Sequence, residues 1–440
     1  MVLPMNVGLL LTASLFVVYA LTSRWLSRSS LTGPMLFTIA GVIVARDLLG
    51  AGVALETFAL ELDSHVIQVL LEGTLALILF SDAVLIDYRA VRKEAFLPGR
   101  LLGIGLPLTI AVGTLVAYLV FPELGFWPAA VIAVILAPTD AALGQAVVSN
   151  DEVPDLVRQG LGVESGLNDG IAVPFLTIAV AGAAAEMQTA GEIATVFIEE
   201  IGYAILVGLF VGYLGAVAAK FSTDKGWTSR EGRQVLVVFL AILAYGLADG
   251  VNGSGFIAAF VGGLTFGANI RKEHPQITHF SEGVAHLFTM LSFLVFGALI
   301  LGPALDNIDA RTVIYAVLSL TIVRMIPVGL ALIGTGLQFP TQAYIGWFGP
   351  RGLASLVFLG TVVFDAAPDV GSLVLEVGAV TVGLSVLLHG LSAWPASNWY
   401  ARWYARESEV MPPDEFMEAQ DVEILPKARI EGRMRSMDGG

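Results

Sequence analysis

The sequence contains no cysteine, which excludes disulfides, thiolate metal sites and thiol nucleophiles and leaves the compartment open. Charge is scarce as well: Asp, Glu, Lys and Arg make up 14% of the 440 residues, where a soluble domain carries about 25%. Histidine is limited to His65, His274, His279, His286 and His389. None stands at metal-ligand spacing with a carboxylate beside it, so no zinc site is expected. Basic residues are the minority, 23 Lys and Arg against 38 Asp and Glu, and nothing suggests nucleic acid as a partner. The first residues, 1–21, lack a basic leading region, and a cleavable signal is not expected.

Apolar sequence fills the space. Hydrophobic residues reach 56% and the mean hydropathy is +0.79. A helix needs about 20 apolar residues to cross a bilayer. Thirteen such segments fall near 5–22, 33–49, 66–86, 101–121, 127–149, 158–184, 196–219, 233–250, 254–268, 284–302, 313–335, 342–364 and 371–393. The expectation is an all-α polytopic membrane protein of about 13 transmembrane helices, with the lipid bilayer as its surroundings.

Basic residues fix the orientation, because cytoplasmic loops are enriched in Lys and Arg. Arg24 and Arg28 follow the first segment, and Arg89, Arg92, Lys93 and Arg100 lie between the third and fourth. Arg158 follows the fifth, Lys220, Lys225, Arg230 and Arg233 flank the seventh-to-eighth junction, and Arg271 and Lys272 follow the ninth. The alternate loops hold almost none, with Arg46 and Arg311 as exceptions, and the first outer loop carries Glu56, Glu61 and Asp63. The N-terminus is therefore expected outside and the C-terminus in the cytoplasm, in a cell (inner) membrane.

Two segments are interrupted at mid-depth. The fifth contains Ala137-Pro138-Thr139-Asp140 and the twelfth contains Gly349-Pro350-Arg351-Gly352. Each proline removes a backbone donor and crowds the carbonyl four residues back, at Val134 and at Gly346. Non-helical backbone at that depth survives only within protein or beside a wet cavity. With the seventh segment (196–219) as a linker, 1–185 and 228–403 become two six-helix halves, each broken in its fifth helix. Such a pattern marks an inverted repeat with its site where the broken helices cross. Residues 404–440 turn polar and acidic and are expected to form a short cytoplasmic tail.

The sixth segment carries Glu164-Ser165-Gly166-Leu167-Asn168-Asp169-Gly170. A charge at the centre of a membrane helix costs about 2.5–3.5 kcal/mol on insertion scales, and by default marks an ion or proton path. Residues four apart share a helix face, so Ser165 stands with Asp169, and Glu164 with Asn168. Asp169, Ser165 and Glu164 supply oxygen ligands for a hard monovalent cation, and the break at Thr139 adds a backbone carbonyl. A carboxylate with no partner in a low-dielectric site holds a proton or a metal ion, not both. That competition suffices for exchange, and with one carboxylate the exchange is electroneutral. Asp169 is the candidate. Arg324 and Arg351 are the basic residues placed within the membrane, and Glu164 is the natural partner of Arg324. Asp140 is expected at the start of the second half of the fifth helix, near its positive dipole end, with Arg351 at the opposite half-helix ends. Asp140 and Arg351 fit a charge scaffold as well as an ionic role.

These residues resemble the cation:proton antiporter family. Pro-Thr-Asp at 138–140, Glu-Ser-x-x-Asn-Asp-Gly at 164–170, Arg324 near Pro327 and Gly-Pro-Arg-Gly at 349–352 carry the resemblance. Ser254-Gly255-Phe256-Ile257-Ala258 and Phe280-Ser281-Glu282 agree with it, and the likeness is strongest to NhaP-type sodium/proton exchangers. The resemblance implies a thirteen-helix fold with a core domain moving against a dimerisation domain, and a homodimer. It implies Na+ (or Li+) and H+ as substrates at Asp169, with Glu164, Ser165 and the Thr139 carbonyl near the ion. Asn168 and Asp140 are then structural and electrostatic, and an Asn-Asp pair goes with electroneutral exchange. No resident cofactor and no enzyme activity are expected. An intramembrane aspartyl protease would cast Asp140 and Asp169 as a dyad, but neither lies in Gly-x-Gly-Asp or Tyr-Asp. Gly253-Ser254-Gly255 has no histidine placed for serine chemistry. A cation channel would lack its repeated carbonyl filter. Potassium in place of sodium stays open, since the two ions differ only in size. Glu72 and Asp82 are candidates for a cytoplasmic funnel, with Asp82 better read as solvated.

Overall fold

The computed structural model describes residues 6–26, 29–45, 64–86, 96–140, 143, 147, 153–184, 189–270, 277–306, 308–365 and 368–408. These residues form helices joined by short connections, with no strand among them. In chain order they are α1 (Asn6–Leu26), α2 (Gly33–Ala45), α3 (Ser64–Leu85), α4 (Phe96–Val120), α5 (Phe126–Ile135), α6 (Asp155–Ala183) and α7 (Ala190–Asp224). Then come α8 (Arg230–Asp249), α9 (Gly255–Ile270), α10 (His279–Ala304), α11 (Ala310–Ala331), α12 (Phe339–Trp347), α13 (Leu353–Asp365) and α14 (Pro368–Ser408). Among the described residues eight helices are long and apolar enough to cross a membrane by length and composition, and α1, α2, α5, α9 and α13 contain shorter apolar helices.

Side chains divide as a bilayer demands. Leu206, Phe210 and Tyr213 on α7 and Phe239, Ile242 and Leu243 on α8 face outward, while Phe80, Phe266, Phe293 and Phe296 are buried between helices. With lipid as apolar as leucine, helices associate through close backbone approach. A Cβ at Gly208 or Gly212 of α7 would run into the α9 backbone at Ala258 and Gly262. That small-residue stripe lets α7 lie on α9, which in turn packs on α3.

Three helices depart from regular winding at places the apolar pattern does not mark. α4 carries a π-helical turn at Leu101–Gly105 and α10 another at Phe296–Leu301, each with a proline just beyond it, Pro107 and Pro303. α11 bends at Thr321 (φ −112°, ψ −88°), whose hydroxyl donates back to the Val317 carbonyl, an arrangement that bends helices. α14 runs beyond the expected membrane end at 403. Its Tyr400 stacks on Tyr344 of α12 (4.2 Å between centroids) and Trp403 stacks on Tyr400, which holds the helix together through Ser408. The tail from 409 on lies outside the described residues, as do Arg28, Arg46, Glu56, Glu61, Asp63, Arg89, Arg92, Lys93, Arg271, Lys272 and His274.

Candidate functional site

Both proline breaks exist, and they meet. α5 stops at Ile135 and residues 136–140 are not helical; α12 stops at Trp347 and helix resumes at Leu353. Backbone groups freed by one break are satisfied by the other. Asp140 N–H donates to the Pro350 carbonyl (2.8 Å), and the Asp140 carboxylate accepts from Leu353 N–H (2.8 Å). Asp140 thus caps the N-terminus of α13, where orphan donors and the positive dipole end favour an anion. The expected position was the start of its own second half-helix, which is largely outside the described residues. The crossing brings a different helix end to it.

Arg351 serves the opposite end. Its side chain is fully buried, and Nη1 donates to the carbonyls of Ala137 (3.0 Å) and Pro138 (3.4 Å), which follow the last turn of α5. Ser355 adds a hydroxyl bond to the Ile135 carbonyl (2.7 Å). A cation over the carbonyl end and an anion over the amide end neutralise the two halves. Gly352 is required by this closeness, since a Cβ there would fall inside the Asp140 carboxylate.

α6 passes beside the crossing with Glu164, Ser165, Asn168 and Asp169 all buried. Glu164 and Arg324 of α11 form a two-pronged ion pair, Nη1 to Oε1 at 2.6 Å and Nη2 to Oε2 at 2.9 Å. Both Glu164 oxygens are therefore engaged by the guanidinium. Ser165 Oγ donates to the Thr139 carbonyl (2.5 Å) and Asn168 Nδ2 donates to Thr139 Oγ1 (2.7 Å), tying α6 to the break. Asp169 is 7% exposed, and its Oδ1 is buried without a donor among the described residues, as is Oδ1 of Asn168. Each of these acceptors is buried with no hydrogen to face it among the described residues. Such burial is costly unless a proton or cation is held there.

The structure thus gathers Thr139, Asp140, Glu164, Ser165, Asn168, Asp169, Arg324 and Arg351 around one crossing. Asp82, near the end of α3, lies within electrostatic range of Glu282, Asp140 and Asp169. Glu72, half-buried, accepts from Gln68 (2.9 Å) and from the Tyr245 hydroxyl of α8 (2.8 Å), which occupy its two oxygens. Sequence reasoning passed over Ser385 and His389 of α14, which bind the α12–α13 break. Their signal was present, as a polar pair four residues apart inside an apolar helix.

The chain matches the family model described as sodium/hydrogen exchanger, transmembrane, over residues 11–399. It belongs to that family. Among its relatives, a protein from Alkalimonas amylolytica named K(+)/H(+) antiporter NhaP is 25% identical over 428 residues, 96% of this chain and 72% of the relative. A Saccharomyces cerevisiae protein named Na(+)/H(+) antiporter is 26% identical over 258 residues, 55% of this chain and 26% of the much longer yeast protein. The solved sodium proton antiporter MjNhaP1 from Methanocaldococcus jannaschii superposes with a TM-score of 0.72 at 20% identity, covering 90% of this chain and 98% of that one. That likeness gives this exchanger-family chain an NhaP-like antiporter fold.

Proposed function

We propose that this protein is a secondary active transporter that exchanges one monovalent cation, Na+ or Li+, for one proton across the cell (inner) membrane. The observation that carries the reading is the isolation of Asp169. Glu164 is committed to Arg324 and Asp140 caps α13, while Asp169 Oδ1 stands buried without a donor. The Asp169 carboxylate holds either a proton or an alkali ion, one positive charge for one. Ser165 Oγ and the Thr139 carbonyl, which keeps a second lone pair, complete an oxygen set suited to a hard cation. Glu164 acts as the charge partner that keeps Arg324 from neutralising Asp169. The alkali ion is cargo, and no resident cofactor is involved.

Access alternates as the unit containing the crossed breaks moves against the rest of a thirteen-helix, inverted-repeat fold, with the N-terminus outside and the C-terminus cytoplasmic. The apolar outer faces of α7 and α8 are covered by lipid and by a second copy in a homodimer. Potassium is the second reading, because a relative named as a K(+)/H(+) antiporter is similar along 96% of this chain and the yeast relative named for sodium along 55%.

The test uses purified protein in proteoliposomes with an acid interior and a pH-sensitive dye. Sodium, lithium or potassium salt added outside should restore interior pH, and the most effective ion names the substrate. Asp169→Asn and Asp169→Ala should abolish recovery while keeping the folded yield. Exchange that survives either substitution refutes Asp169 as carrier. An imposed membrane potential should leave the rate unchanged; a strong dependence refutes one-for-one exchange, and cation flux without proton movement returns the channel reading.

A further inference from the structure

The break between α12 and α13 is anchored from two sides, and only one belongs to the fifth segment. The other is α14. Ser385 Oγ accepts from Arg351 N–H at 2.7 Å. His389, one turn on and 1% exposed, brings Nε2 to 2.9 Å from the Trp347 carbonyl, the last residue of α12. Its ring stacks on the Trp347 indole (centroids 4.9 Å apart), and Nδ1 lies 3.1 Å from Ser385 Oγ. Nδ1 also lies 3.0 Å from the Ser385 carbonyl; the Trp347 carbonyl can only accept, so the hydrogen is assigned to Nε2. The ring donates to Trp347, Ser385 donates to Nδ1, and Ser385 accepts from Arg351.

We propose that Ser385 and His389 are positioning residues for the cation site, holding the twelfth-segment break and with it Arg351 in register with Thr139. Arg351 leads from the clamp to the carbonyls of Ala137 and Pro138, immediately before Thr139. A second contact runs in parallel. Gly349 lies so close to Arg324 and to the Thr139 methyl that a Cβ would collide with both. Backbone at 347–351 is therefore packed directly against Arg324 and Thr139, and Ser165 and Asn168 of α6 bond Thr139 in turn. Close-packed interiors transmit backbone shifts rather than absorb them. The inference rests on the proposed exchange at Asp169 and concerns residues that do not touch the ion.

The experiment compares Ser385→Ala, His389→Phe and His389→Gln in proteoliposomes, with rates normalised to folded protein and cation concentration varied. His389→Phe keeps a stacking ring and loses the donor; His389→Gln keeps an amide donor for Trp347. A lost hydrogen bond to a positioned backbone should raise the apparent KM for the cation about fivefold in Ser385→Ala and His389→Phe, with maximal rate little changed. His389→Gln should stay within about twofold of the parent. Unchanged KM in Ser385→Ala and His389→Phe overturns the proposal. So does an equal rise in Phe and Gln, which would reduce His389 to packing. If His389→Phe does not fold, Ser385→Ala decides, since it removes one hydroxyl and leaves the ring in place; failure of both to fold makes the pair part of the core and overturns the inference. Parent protein that exchanges, with Asp169→Asn inactive and the α14 variants unaltered, sinks this inference and leaves the proposed function standing. An inactive parent sinks the function itself.

Discussion

Replacing Arg324 by alanine leaves the Glu164 carboxylate buried with nothing to neutralise it. Both side chains of the pair are 3% exposed, and the guanidinium spans both carboxylate oxygens. Removing one partner of such a pair costs about 3–5 kcal/mol, chiefly because the other charge stays behind in low dielectric. Glu164→Ala should be at least as damaging, since it leaves Arg324 facing Arg351, which lies within electrostatic range. The double variant Glu164→Ala/Arg324→Ala strands neither charge and should melt above both single variants despite losing more atoms. Arg324→Lys keeps the charge but loses the planar two-pronged fit, and should fall between parent and Arg324→Ala. The assay is the apparent melting midpoint of detergent-purified protein, all variants side by side. Order of midpoints is the readout, because a polytopic protein does not unfold in two states. Either single variant melting with the parent, or a double variant whose loss is the sum of the singles, would refute the reasoning.

Two other predictions follow from named contacts. Gly352→Ala drives a Cβ into the Asp140 carboxylate and removes the cap on Leu353; loss of a cap costs about 1–2 kcal/mol, so the melting midpoint should drop. Gly329→Ala, with open space at its Cβ, should match or exceed the parent as the control. At the loops that follow α4 and α10, Arg311 bonds Glu123 (2.7 Å) and Asp309 (2.8 Å). The Glu123 carboxyl is held below the usual range by its own backbone N–H and by Arg311, and Asp309 chiefly by the Arg311 side chain. Depressed carboxyl values contribute stability above the ordinary range near about pH 4 that fades as pH falls below it. The small midpoint advantage of parent over Arg311→Ala should therefore be present at neutral pH and vanish in acid. An advantage that grows in acid contradicts the assignment.

Much of the fold was legible because a bilayer makes composition speak directly about structure. Apolar runs mark helices, and the prolines at 138 and 350 mark where they stop, since no water at mid-depth replaces a missing backbone bond. Glu164, Ser165, Asn168 and Asp169 declared themselves for the same reason. The bend at Thr321 and the π-helical turns of α4 and α10 went unmarked, although Thr321 bonds back to Val317 and Pro107 and Pro303 stand just beyond the two π-helical turns. Glu72 illustrates the reverse. An acid in a membrane segment suggests an ion path, and here a Tyr245 hydroxyl some 170 residues away turns it into a helix-packing contact.

By itself the sequence determined which charges lie in the membrane and where the helices break, because both are properties of a residue and its near neighbours. The pairing of Glu164 with Arg324 was expected from sequence and is present; tertiary structure decided which helix ends and turns the other polar groups serve. Asp140 caps a helix end 213 residues away, Arg351 covers carbonyls of the other half of the chain, and His389 holds a turn that its own helix only passes. Each bond joins groups that strand their charge or hydrogen-bonding capacity unless the chain folds back. Long-range pairing of that kind leaves no periodicity to read.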